Sequence, residues 1–137
     1  MSNVKVKDRV ETKVQFVDTA RELAVHTLHY AKKFPKSAMF LITKDIVDLS
    51  KEIYKSVVCA NVFFPIQTET DVAERYKLFK HALGCIETLD SLLGIARDDY
   101  GSADISDYGW VHWGELMKSE ENLIKKVLSS DRKTDVS

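Results

Sequence analysis

Apolar positions recur along most of the chain at the three-, four- and seven-residue spacings of an α-helix, and proline or turn-forming residues interrupt them. Val10, Val14, Val17, Ala24, Leu28 and Ala31 form a first stripe, widened by Phe16, Ala20, Leu23, Tyr30 and Phe34. Asp8 followed by Glu11 reads as a capping box opening that helix, with residues 1–9 as a flexible arm. Phe34-Pro35 ends it, because proline lacks an N–H and restricts the residue before it. A second helix is expected from near Lys36 to about Asn61, with Met39, Ile42, Ile46, Leu49, Ile53, Val57 and Ala60 inward. Phe63, Phe64 and Ile66, around Pro65, should fold over one end. Thr68 and Asp71 open a third helix with two apolar rows. One row is Val72, Tyr76, Phe79, Leu83, Ile86 and Leu93, and the other is Leu78, Ala82, Cys85, Leu89, Leu92 and Ala96. Asp, Gly and Ser mark residues 98–109 as a loop. Ser106 caps a last helix to about Ser129, with Trp110, Trp113, Leu116, Met117, Ile124, Val127 and Leu128 inward. Residues 130–137 read as a disordered tail. Four amphipathic segments with short connections predict an all-α, up-down-up-down antiparallel four-helix bundle over residues 10–129.

Composition narrows the class. With 137 residues, 45% hydrophobic and 30% charged, the chain suits one domain that needs no covalent staple. Two cysteines do not make a disulfide framework. No apolar run approaches the ~18 residues of a membrane span. The opening MSNVKVKDRV lacks a hydrophobic signal core, so a cytoplasmic location is expected. The net charge of −1 hides an asymmetry. Residues 1–60 carry eleven Lys and Arg against seven Asp and Glu, or +4; the remaining nine and fourteen give −5.

Candidate chemistry is sparse. His26 and His29 lie at i and i+3 with Glu22 nearby, but no second Glu-x-x-His completes a helical metal set. His81 and His112 stand alone in the sequence, and Cys59 and Cys85 read as small buried residues. There is no glycine-rich phosphate loop, and the aspartates after residue 97 lack calcium-loop spacing. The expectation is a protein without catalytic residues, cofactor or metal. Basic residues are the remaining candidates. Lys32, Lys33 and Lys36 cluster at the first helical corner beside Tyr30 and Phe34, and Lys44, Lys51 and Lys55 extend along helix two. Arg75, Lys77 and Lys80 make a second cluster. Such groups can neutralise phosphates in a salt-dependent, sequence-independent way, or serve as ordinary helical ion pairs.

Phe34-Pro35-Lys36-Ser37, followed by Met39-Phe40-Leu41-Ile42, resembles the corner between the first two helices of a particular four-helix-bundle family. That family comprises accessory variability determinant (Avd) proteins of diversity-generating retroelements and proteins encoded in 23S rRNA intervening sequences. Ile105-Ser106-Asp107-Tyr108 leading into His112-Trp113-Gly114-Glu115-Leu116 looks like the start of the last Avd helix. The resemblance implies a homopentameric, non-catalytic accessory protein that binds a reverse transcriptase and nucleic acid. Where Avd proteins carry arginines in helix three, this chain reads Ile86-Glu87-Thr88-Leu89-Asp90-Ser91. A nucleic-acid contact is therefore expected on the first hairpin, at Lys32, Lys33, Lys36, Lys44, Lys51 and Lys55. The other branch of the family implies a protein-interaction scaffold with no nucleic-acid role.

Overall fold

In the computed structural model, residues 4–100, 105–134 and 136 are described, with side chains from Val14 onward. Four helices, α1 (Val4–Ala31), α2 (Lys44–Val62), α3 (Glu69–Tyr100) and α4 (Asp107–Arg132), pack as an antiparallel bundle, with no strand among the described residues. Neighbours in the chain pack together, and α4 closes the square against α1. The expected fold class is observed.

The helix boundaries depart from the sequence periodicity at both ends of the chain. α1 begins at Val4, so Asp8 lies within the helix and cannot be its N-cap; residues 4–9 of the expected arm are helical, and residues 1–3 lie outside the described residues. α4 runs through Arg132, past the expected end at Ser129, because Asp131 is drawn into the core by Arg75. Residues 130–132 are therefore helix and not tail. Of the loop expected over residues 98–109, residues 98–100 belong to α3 and 107–109 to α4, and residues 101–104 lie outside the described residues.

Two caps match the sequence closely. Asp71 Oδ2 accepts from the backbone N–H of Thr68 at 3.1 Å, and Thr68 Oγ1 accepts from that of Asp71 at 3.2 Å. This is a reciprocal capping box, satisfying donors that a helix start leaves free. Ser106 Oγ accepts from Gly109 N–H at 3.2 Å to start α4.

The first corner is wound differently from a simple helix start. A 3-10 turn, Lys36–Ala38, leads into a π-helical turn, Met39–Thr43, before α2 proper. The wide π turn keeps Ile42 and Thr43 inside but leaves Met39, Phe40 and Leu41 outside. Met39 was expected inward, and the change of helical pitch is what turns it out. On α1 the buried residues are Phe16, Thr19, Ala20, Leu23, Ala24, Thr27 and Ala31, while Leu28 is exposed. The core side of α1 thus combines Ala24 and Ala31 of the first stripe with Phe16, Ala20 and Leu23 of the row expected to widen it. Thr27 belongs to it because its hydroxyl is satisfied twice, donating to Leu23 O at 2.8 Å and accepting from Trp113 Nε1–H at 2.9 Å. Tyr76, expected inward on α3, is half exposed, and Arg75 beside it is buried.

Candidate functional site

The first corner and α2 carry the lysines singled out above. Lys32, Lys33 and Lys36 are all exposed, and none takes part in an ion pair among the described residues. The Lys33 ammonium stands 6.0 Å from the centre of the Tyr30 ring. Phe34 does not join them at the surface. It is buried among Tyr100, Trp110 and Trp113, with ring separations of 6.2 to 6.4 Å. The aromatic that accompanies the lysines is Phe40, 89% exposed on the π turn four residues after Lys36. Hydrophobic periodicity assigned Phe40 no role.

Along α2 the positive charge is diluted. Lys44 Nζ donates to Asp48 Oδ2 at 2.8 Å, which raises the pKa of the ammonium. The same bond is the largest influence holding the Asp48 carboxyl below its ordinary value, with Lys44, Lys51 and Lys55 adding their field. Lys51 and Lys55 are exposed and make no ion pair among the described residues. Together with the three corner lysines they are the lysines of the first hairpin that stay unpaired among the described residues.

The second basic cluster does not form. Arg75 is only 2% exposed and fully engaged inside the bundle end. Its guanidinium donates to Asp131 Oδ2 at 2.7 Å, to Asp131 Oδ1 at 3.3 Å and to the Ala60 carbonyl at 3.0 Å. It also packs over the rings of Phe64 and Phe79. Fork geometry and full hydrogen bonding are what allow a buried charge pair to persist. Arg75 cannot reach a phosphate, and Lys77 lies 3.9 Å from Glu74, leaving Lys80.

The histidines and cysteines are less isolated than their sequence positions suggest. Cys59 is exposed, not buried, and Cys85 is buried. Cys85 Sγ approaches His81 Nε2 at 3.6 Å, and that same nitrogen is 3.2 Å from Glu52 Oε2. A nucleophile–base–orienter relay uses opposite ring nitrogens, so this cluster lacks its geometry. Burial, with help from Glu52, raises the Cys85 pKa and disfavours the thiolate. At the α1–α4 seam His26 Nε2–H donates to Gly109 O at 2.8 Å. Desolvation lowers the His26 pKa, and His112 and His29 lower it further against the opposing pull of the Gly109 bond. Among the described residues, no three metal-ligating side chains converge.

No helix among the described residues is long and apolar enough to cross a membrane. No family model, curated protein or solved structure matches the chain.

Proposed function

We propose that this protein is a non-catalytic accessory bundle of a diversity-generating retroelement, one that holds nucleic acid through its first helical corner and associates with a reverse transcriptase. The observation that carries the nucleic-acid part is the corner itself. Lys32, Lys33 and Lys36 are exposed and make no ion pair among the described residues, and Phe40, four residues after Lys36 on the π turn, is exposed. Ammoniums neutralise phosphates, and an exposed ring offers a face on which an unpaired base can stack. Lys51 and Lys55 extend the track, whereas Lys44 is held by Asp48. Neither the lysines nor the ring reads base edges, so binding is expected to be non-specific in sequence. The reverse-transcriptase association and the homo-oligomer rest on the Avd resemblance.

Anisotropy titrations with a labelled duplex and a labelled single strand across a salt series test this reading. Replacing Lys32, Lys33 and Lys36 together by Glu should flatten the duplex salt slope by about 0.9 per lost contact. Phe40→Ala should weaken single-strand binding by about 1–3 kcal/mol and leave the duplex unaffected. An unchanged slope removes the corner as the contact. Absence of wild-type binding at low salt favours the second reading, a protein-interaction scaffold of the rRNA-intervening-sequence type. The Lys44–Asp48 pair and the −5 charge of residues 61–137 favour that alternative. A reverse-transcriptase gene with template and variable repeats beside this one supports the retroelement role.

A further inference from the structure

The seam between α1 and α4 contains an open groove of about 730 Å3, which borders the lysine corner at Tyr30. Its walls are lined with rings. Tyr108 and His112 are stacked at 5.3 Å with an 11° angle between planes, His112 lies 5.0 Å from His26, and His26 lies 4.6 Å from Tyr30. Tyr108 is 65% exposed although its ring is backed by His112, so its outer face is open to solvent.

The charge around these rings is acidic. Asp18 and Glu22 line the groove one turn apart on α1, both are exposed, and neither makes an ion pair or hydrogen bond among the described residues. Arg21 is the single lysine or arginine in the lining. Two free carboxylates beside aromatic faces disfavour phosphate and suit a planar cation. A guanidinium can stack on a tyrosine ring while its fork of N–H donors engages a carboxylate, a combination that a compact ammonium satisfies less well.

The groove is too open to enclose a small molecule, and apolar side chains stand along it. Val25 on α1, 58% exposed, and Leu116 on α4, itself buried, are the aliphatic side chains of the lining. A ligand that offers apolar atoms beside its cation fits this arrangement. We infer that the groove receives an arginine side chain presented by a basic peptide segment of a protein partner, with an apolar residue next to the arginine. The rings of Tyr108 and His112 provide the stacking face, Glu22 and Asp18 provide the countercharge, and Val25 packs against the neighbouring apolar residue. This inference does not depend on nucleic-acid binding at the corner.

The test uses a fluorescein-labelled Leu-Arg-Val-Arg-Leu peptide and the full-length protein. The same peptide with citrulline, a neutral isostere, replaces arginine in a second arm, and arginine amide forms a third. Saturable binding is expected for the arginine peptide. Citrulline should abolish it, and Tyr108→Ala or Glu22→Gln should each weaken it roughly tenfold, as expected for loss of a charge-assisted contact. Both substitutions are on exposed side chains, so unchanged helical circular dichroism is the folding control. Variants with Lys32, Lys33 and Lys36 changed to Glu should retain or increase peptide binding, which separates this site from the nucleic-acid corner. Equal binding of the citrulline peptide overturns the cation reading, and arginine amide binding as tightly as the peptide overturns the peptide source. No binding up to millimolar peptide overturns both. Self-association of the unliganded wild type that Glu22→Gln abolishes would assign the groove to a second copy instead of a different partner.

Discussion

Glu120 lies on the inward face of α4, between Met117 and Ile124, fully buried and with neither carboxylate oxygen meeting a donor. Loss of solvent alone raises its pKa from 4.5 to about 8, so the native side chain is protonated at neutral pH. The sign of the consequence follows from proton counting. Between about pH 4.5 and 8 the unfolded chain has released this proton while the folded chain retains it, so stability falls as pH rises. The fall is about 1.4 kcal/mol per pH unit, and it levels off above the folded pKa. Denaturant unfolding of the wild type and Glu120→Gln across this window should show that slope only in the wild type. Glu120→Leu should gain about 1–3 kcal/mol at neutral pH, because it removes a buried polar group that has no hydrogen-bond partner. A wild-type slope equal to that of Glu120→Gln would show that the carboxyl is solvated. His26 acts in the opposite direction. Its lowered pKa means that its contribution, present above the unfolded value of 6.5, is lost as pH falls through the folded pKa.

Among the elements, the end of α4 and the surface of α3 make separate predictions. Asp131 closes the bundle end from the last turn of α4, and Arg75 at the same time caps the carbonyl of Ala60 near the end of α2. Truncation after Ser130 leaves a buried guanidinium without its carboxylate and should cost about 3–5 kcal/mol, whereas truncation after Lys133 should cost little. Chemical denaturation of the two truncated chains distinguishes them, and equal midpoints would mean that water replaces Asp131. On α3 a Cβ added at Gly84 or Gly94 meets nothing. Each Gly→Ala change there should therefore stabilise by up to about 1 kcal/mol through helix propensity. Gly109 differs, because a Cβ would stand 2.7 Å from the Tyr30 ring, so Gly109→Ala should destabilise the α1–α4 seam. These contrasts mark what was legible in the sequence. Helical period located all four helices, and local chemistry located both caps, since each depends on residues within one turn. The Arg75–Asp131 pair spans 56 positions, and no local spacing reveals it. Which edge of α1's broad apolar arc faces inward was likewise settled by α2 and α4, not by α1. The Phe34-Pro35-Lys36 corner was legible as a turn, but its π winding, and hence the exposure of Phe40, was not. The α1–α4 groove was illegible for the same reason as the ion pair: its rings come from helices at opposite ends of the chain.

At the scale of the whole molecule, the bundle leaves apolar side chains outside that a monomer would gain by covering. Val62 is 75% exposed at the end of α2, and Val58 on α2 and Tyr76 on α3 are also exposed on this hairpin. Exposed apolar groups suit association, and closed rings are the outcome of head-to-tail contacts whose rotation closes. The proposed assembly is a homopentamer, so light scattering at micromolar concentration should return five times the 15.6 kDa of one chain. A double change, Val62→Glu with Tyr76→Glu, places charge where apolar contact is needed and should dissociate the ring while leaving the helical content unchanged. Dissociation also bears on function. One corner offers three unpaired lysines and one exposed ring, a small site by itself, whereas a ring presents the same site five times to one strand. Linked sites raise apparent affinity by about 10²–10⁴ without any new contact. The dissociated double variant should therefore lose nucleic-acid affinity by at least 10²-fold although every corner lysine is intact. Its residual salt slope should match that of a single corner. A wild type that scatters as a 15.6 kDa monomer rejects the ring, and a dimer retains the argument from exposed apolar surface while separating this chain from the Avd architecture. If the double variant is monomeric yet binds as tightly as the wild type, affinity resides in one corner and avidity has no part in it.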